Sequence, residues 1–209
     1  MTITLHGYTY SVYSRIPRMV CHEKGIAFDW REVDPFDDAT PESYGELHPF
    51  RRVPVLQHDG FTLYETGAIS RYLDEAFPGP SLQPADIGQR ARMAQIISIV
   101  DAYVYWPLVR QVFSHRVFRP KFGDSWDEDT IAAGLETSKV VLAALESLVS
   151  EHHHIISPEV SLADFHLATM IDYFAMADEG ATMLAQYEKS SAWWANMRLR
   201  DSVTATAPL

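Results

Sequence analysis

Three short stretches combine residue types that could hold or activate a small polar molecule. Val53-Pro54 stands where a strand begins, although proline cannot donate to a sheet ladder. A cis Val53–Pro54 bond is expected there, leaving the backbone N–H and C=O of Val53 to pair with a ligand. Glu65-Thr66 opens a helix pattern, where unsatisfied N–H groups and the helix dipole favour a carboxylate. The hydroxyl and amide of Thr66 suit that carboxylate, and Glu65 suits a ligand ammonium. The plainer readings are an edge-strand proline and an ordinary acidic helix start. The third stretch is the loop Gly7–Ser14, crowded with the hydroxyls of Tyr8, Tyr10, Ser11, Tyr13 and Ser14. It holds no cysteine, so a Cys-x-x-Cys redox pair is excluded. Cys21 is the one cysteine of the chain, which rules out an intrachain disulfide and a Cys-rich metal site. It falls about three turns into a helix pattern and is expected to pack inertly in the core.

The elements that must position these residues are legible from periodicity. Ile3–His6 reads as a strand, about Tyr13 to Lys24 as a helix closed by Gly25, and Ala27–Val33 as a second strand. Residues 34–47 read as an acidic loop. Val53–Gln57 and Phe61–Tyr64 flank Asp59-Gly60 as a hairpin, and Glu65–Phe77 follows as a helix. That order is the order of a thioredoxin-like domain. After Pro84 only helix patterns remain. Ile87–His115 is long and open to a kink at Pro107, Asp129–Ser150 follows, and Ser161–Asp164 forms a capping box before Phe165–Met176. Tyr187–Arg198 is the last. The expected fold is therefore an α/β thioredoxin-like N-terminal domain, residues 1–80, followed by an all-α C-terminal domain, residues 81–209.

Composition narrows the function. The chain has 209 residues, 47% of them hydrophobic and 22% charged, the profile of a soluble globular protein. Its net charge of −11 repels polyanions, which argues against nucleic acid or an anionic membrane as main partner. The N-terminus lacks a basic region followed by an apolar one, and Met93–Val109 is broken by Asp101 and Pro107, short of a membrane span. A cytoplasmic protein is expected. His152-His153-His154 cannot converge readily on one ion, so a solvated loop and no metal are expected there. His115 and His166 read as structural, and Asp124–Asp129 as a solvated turn.

Taken together, these pieces resemble the soluble glutathione transferases. The resemblance is carried by Gly7-x-x-x-Ser11 with His22-Glu23-Lys24-Gly25, by His48-Pro49-Phe50-Arg51-Arg52-Val53-Pro54-Val55-Leu56, and by Leu63-Tyr64-Glu65-Thr66-Gly67-Ala68-Ile69-Ser70-Arg71-Tyr72-Leu73. The Ser161–Asp164 box is similar to that of the family's helical domain, so the motifs run in order along the whole chain. The resemblance implies that Val53 pairs with the cysteinyl backbone of glutathione, while Glu65 and Thr66 bind its γ-glutamyl end. Matching Gly7 to Gly25 without gaps against serine-type, bacterial-like members places Ser11 as the residue that activates the thiol, with Tyr8, Tyr10, Tyr13 and Ser14 as alternatives. Arg51-Arg52 departs from the family's commoner Gly-Lys or Gly-Gln. Arg52 is expected to donate to the peptide and Arg51 to be solvated. No Lys, Arg or His lies in residues 34–47, so the glycyl carboxylate falls to Arg52, His48 or the helical domain.

The implied function is attack of glutathione thiolate on a hydrophobic electrophile, with glutathione as co-substrate. The electrophile pocket is expected among Tyr103, Tyr105, Trp106, Val109, Phe113 and Phe118, with Tyr103, Trp106 and Phe113 foremost. Arg71 and Tyr72, with the helix after Pro84, resemble the family's subunit interface, so a homodimer is expected. The competing readings are a non-catalytic relative that binds ligands or partners, and a glutathione-dependent isomerase, dehalogenase or lyase.

Overall fold

The computed structural model describes residues 3–150, 152 and 154–208. They form two compact units, Met1–Ser81 with Asp201–Leu209, and Leu82–Arg200.

The first unit is built on a four-stranded mixed sheet of order β2-β1-β3-β4. Strand β1 (Ile3–Gly7) buries Ile3 and Leu5 and runs parallel to β2 (Phe28–Glu32), with Leu5 opposite Trp30 and Gly7 opposite Glu32. On its other side β1 pairs antiparallel with β3 (Val55–His58), and β3 with β4 (Phe61–Tyr64). Asp59 and Gly60 both take positive φ, 47° and 85°, as a tight hairpin turn of the mirror-image type requires. Helices α1 (Val12–Lys24) and α3 (Thr66–Ala76) pack together, burying Ile16, Met19 and Val20 from one and Ile69 and Leu73 from the other. Lys24 joins them through a buried ion pair to Asp74 at 3.1 Å.

Two features of this unit depart from the sequence reading. A short helix, α2 (Tyr44–Leu47), interrupts the expected acidic loop. The tail, assigned from sequence to the helical domain, belongs with the first unit. The guanidinium of buried Arg15 donates to the Val203 carbonyl at 2.8 Å and to the Thr206 hydroxyl at 3.2 Å, and the Ser202 hydroxyl donates to Glu23 at 2.6 Å.

The second unit is helical. Helix α4 (Ile87–Ile99) continues without a break into a π-wound stretch, Val100–Phe118, whose last turn shows the wider spacing: the Arg119 N–H donates to the carbonyl of Ser114. The winding changes at Val100, well before Pro107, where the sequence suggested a kink. Then follow α5 (Arg119–Lys121), α6 (Glu128–Leu148), α7 (Leu162–Ala175), α8 (Asp178–Leu184) and α9 (Glu188–Met197); back in the first unit, α10 is Asp201–Thr204. Gly134 of α6 lies so close to the π-wound stretch that a Cβ there would sit 2.7 Å from Gln111 Cβ. Helix α7 is buried nearly all round, as its apolar sequence requires, and its capping box is formed.

Candidate functional site

The loop between β1 and α1 is held by its own residues. Ser11 is the N-cap of α1, and its Oγ accepts from the Ser14 N–H at 3.2 Å, while its own N–H donates to the Tyr8 carbonyl at 2.9 Å. Its hydroxyl proton is not consumed by that cap. Ser14 is fully buried and accepts from the Tyr8 N–H at 3.3 Å, so it serves the loop's own structure. Tyr8 and Tyr10 meet edge to face at 5.4 Å. Burial, with Asp34, Tyr10 and Glu32 behind it, pushes the Tyr8 phenol up to about 12.

The start of α3 approaches this loop. Pro17 lies inside α1 and has no N–H to give to the carbonyl one turn back, that of Tyr13. The Thr66 hydroxyl takes the place of that donor, reaching the Tyr13 carbonyl at 3.4 Å. Thr66 therefore stands against the first turn of α1, two residues from Ser11. Its hydroxyl proton is engaged, which leaves the backbone N–H, at the first helical position, as the donor for an anion. Glu65 precedes it with φ 74° and ψ 116°, a conformation unusual for a residue with a Cβ. Its side chain is exposed and makes no capping bond to the helix.

Val53-Pro54 completes one side. The bond is cis, as expected, and the ladder with β1 begins only at Val55, so Val53 lies outside it. The Arg52 carbonyl accepts from the Tyr44 hydroxyl at 2.8 Å, which is the work of α2 that the sequence reading lacked. Tyr44 is buried, and burial pushes its phenol up to about 12. His48 is buried against Tyr64, ring centroids 4.6 Å apart, and its Nδ1 accepts from the Phe50 N–H at 3.3 Å. Burial lowers the His48 pKa, Glu65 opposes that and Arg52 adds to it, so both of these charges act on the imidazole. Arg51, expected to be solvated, is exposed but donates to the Thr40 carbonyl at 2.8 Å and ties down the acidic loop. Cys21 is buried, and burial pushes its thiol up to about 12, the inert state expected of it.

Comparison with known proteins decides the family. Residues 5–81 match the model described as glutathione S-transferase, N-terminal domain, and residues 97–201 match glutathione S-transferase, C-terminal domain. The chain is 30% identical to Glutathione S-transferase F14 of Arabidopsis thaliana over 87% of its length and 73% of the relative's. It is also 30% identical to Glutathione S-transferase F10 of the same plant, over 82% and 81%. The chain belongs to the glutathione S-transferase family. The structure of glutathione transferase F7 from Populus trichocarpa shares the fold, with a TM-score of 0.84 at 23% identity over 98% of this chain and 97% of that one.

For this transferase the expected electrophile wall separates into two kinds of residue. Tyr103 and Trp106 are 64% and 61% exposed on the π-wound stretch. Phe113 is buried, its ring 4.6 Å from that of Tyr173 in the core of the second unit. Phe113 thus packs inside that unit while Tyr103 and Trp106 face outward, a division that spacing alone could not make on a stretch apolar over most of its circumference. His152 is exposed, whereas His153 lies outside the described residues. Among the described residues, no group of three or more His, Cys, Asp or Glu gathers as it would for a metal ion, and no helix is long and apolar enough to cross a membrane.

Proposed function

We propose that the protein is a cytosolic, serine-type glutathione transferase that joins the glutathione sulfur to a hydrophobic electrophile. The observation that carries this reading is the Thr66 hydroxyl on the Tyr13 carbonyl, which sets the start of α3 beside the start of α1. One helix start then receives the γ-glutamyl carboxylate at the Thr66 N–H, with the ammonium on Glu65, and the other receives the sulfur at Ser11. Val53 pairs with the cysteinyl backbone between them. Arg52, an exposed cation directly before the cis Val53–Pro54 bond, takes the glycyl carboxylate; buried His48, its pKa lowered, is neutral at pH 7.

Ser11 donates its hydroxyl proton to the sulfur and favours the thiolate. A free thiol titrates near ~8.5, so lowering it by about two units needs roughly 2.7 kcal/mol. A hydrogen bond to a charged acceptor supplies about 1.5–3 kcal/mol, and the α1 dipole adds up to ~2 kcal/mol. The sum suffices without a metal. The thiolate then attacks the electrophilic carbon, the new S–C bond forming as the leaving group departs with its electron pair. Tyr8, with its phenol raised to about 12, is a weaker acid and a poorer donor to sulfur than an unperturbed tyrosine. Residues 1–80 supply glutathione binding and the helical remainder supplies the electrophile side, with Tyr103 and Trp106 as its exposed aromatics. The active form is a homodimer.

The test is Ser11→Ala. The bound-thiol pKa, followed by thiolate absorbance, should rise by about one unit or more while glutathione affinity changes little. A pKa that stays put in Ser11→Ala but rises in Tyr8→Phe, Tyr10→Phe or Tyr13→Phe moves the role to that tyrosine. Failure of the wild type to bind to immobilised glutathione would mean a non-catalytic relative.

A further inference from the structure

We propose that Glu32 is a positioning residue for the loop that presents the hydrogen-bond donor to sulfur; the inference rests on reading Tyr8–Ser14 as the thiol-activating loop. Glu32 ends β2 directly opposite Gly7, the last residue of β1, and the Val33 N–H donates to the Gly7 carbonyl at 2.8 Å. The chain leaves the sheet at Gly7 with no room to spare: a Cβ there would lie 2.4 Å from the Trp30 ring and 2.9 Å from Ser14. Beyond that point the loop has no ladder to hold it, and Glu32 stands in for one. One carboxylate oxygen accepts from the Thr9 N–H at 2.8 Å, and the other accepts from the Thr9 hydroxyl and the Trp30 indole N–H, both at 2.7 Å.

Thr9 sits between Tyr8 and Tyr10, and the Tyr8 carbonyl receives the Ser11 N–H at 2.9 Å. A continuous chain of bonds therefore runs from the Glu32 carboxylate through Thr9 and Tyr8 to Ser11. Trp30 is held in turn by the Arg18 guanidinium, 5.0 Å from its ring centre. Burial would raise the Glu32 pKa, but the two Thr9 bonds, the Trp30 bond and nearby Arg18 outweigh it, so the carboxylate is ionised and keeps its lone pairs for these donors at neutral pH. All three of these donors come from the protein, which makes Glu32 a scaffold for the site. Misplacing a reacting group by about 1 Å can cost a hundredfold in rate, so a latch at the middle of so short a loop has leverage on the sulfur. In the sequence Glu32 passes for a solvated strand-end acid, and its side chain is indeed at the surface.

The experiment measures bound-thiol pKa, kcat, glutathione KM and thermal midpoint in Glu32→Ala, Glu32→Gln and Ser11→Ala. Glu32→Ala should raise the thiol pKa by about one unit and lower kcat about tenfold. It should leave KM within about twofold, because the Glu65, Thr66 and Val53 contacts do not pass through Thr9, and lower the midpoint by no more than the ~2–4 °C of a lost helix cap. Glu32→Gln keeps one acceptor oxygen and should recover part of the loss. Unchanged pKa and kcat in Glu32→Ala overturn the latch whatever Ser11→Ala does. A lower kcat with a lower midpoint and an unmoved thiol pKa overturns it too, because the role is then only structural. A pKa shift in Glu32→Ala without one in Ser11→Ala keeps the latch and moves the sulfur's donor to a tyrosine of the same loop. Wild-type protein that binds no glutathione overturns both readings.

Discussion

Asp164 and Glu65 both stand at helix starts in the sequence, the one in the first turn of α7 and the other just before α3. Asp164 is fully buried, and its two oxygens accept from the Ile155 N–H, the Ser161 N–H, the Ser161 hydroxyl and the Trp193 indole, all at 2.7–2.8 Å. Glu65 is exposed, makes no capping bond and holds φ at 74°. The first carboxylate is satisfied wholly from within and fixes a core. The second stands on an awkward backbone conformation with an exposed side chain, which suits the ammonium-binding role we propose for it. What separates the structural acid Asp164 from the binding acid we propose at Glu65 is where their hydrogen bonds come from, which neither residue type nor spacing reveals.

The sharpest way to break this contrast is Asp164→Ala. It strands several buried donors at about 1–3 kcal/mol each, so a loss of at least ~3 kcal/mol is expected. For a chain of this size that lowers the thermal midpoint by roughly 6–12 °C. Glutathione affinity of the protein that remains folded should be unchanged, and a midpoint that stayed in place would end the distinction. Glu65→Gln is the mirror experiment. A charge-assisted bond to an ammonium contributes about 1.5–3 kcal/mol, so calorimetry should show glutathione binding weakened about 10- to 100-fold. The midpoint should move by less than about a degree, as expected for an exposed isosteric change. Unchanged binding would reduce Glu65 to an ordinary helix start.

Glu65→Gly separates strain from binding within one residue. The unusual φ costs about 1–3 kcal/mol, and the extra chain entropy of glycine returns roughly 0.5–1 kcal/mol of that gain to the unfolded state. A net gain of about 1 kcal/mol is expected, seen as a midpoint raised by ~2–4 °C, together with weaker glutathione binding. Stability and affinity thus move in opposite directions. A lower midpoint would show that the backbone at Glu65 is not strained.

Much of this layout was legible from the sequence because it rests on local signals. The hairpin at Asp59-Gly60, the Gly25 cap and the Ser161–Asp164 box are each set by backbone chemistry within a few residues. What escaped is set by partners far along the chain. Helix α2 is four residues long, and its bearing on the site runs through the Tyr44 hydroxyl on the Arg52 carbonyl. The placement of Phe113 depends on Tyr173 across the bundle, and the role of Glu32 depends on Thr9 in the loop between β1 and α1. In the site, Ser11 and Ser14 stand three apart, the spacing of a cap and its partner, and only burial separates the two. The Pro17 effect on Tyr13 could have been read, because a proline inside a helix always frees the carbonyl four residues back.

A third acid, Glu146, tests whether a carboxylate can be structural without being buried like Asp164. Helix α9 begins after Tyr187, whose side chain makes no capping bond. Glu146 of α6 supplies what is missing, accepting from the Lys189 N–H at 2.8 Å, the Ser190 N–H at 2.9 Å and the Ser190 hydroxyl at 2.6 Å. Burial would raise its pKa, but the Ser190 and Lys189 bonds outweigh that and hold it below the usual carboxylate range. A depressed folded pKa means a contribution that is complete above the unfolded value, near ~4.3, and lost as pH falls through the folded one. Loss of a helix cap costs about 1 kcal/mol, so Glu146→Gln should lower the midpoint by ~2–4 °C at pH 7. That gap should close as the pH drops from about 5 toward 3, because the wild-type carboxylate then takes up a proton and resembles the amide. A gap that stays constant over the whole range would show that the charge of Glu146 contributes nothing and that its shape alone caps the helix.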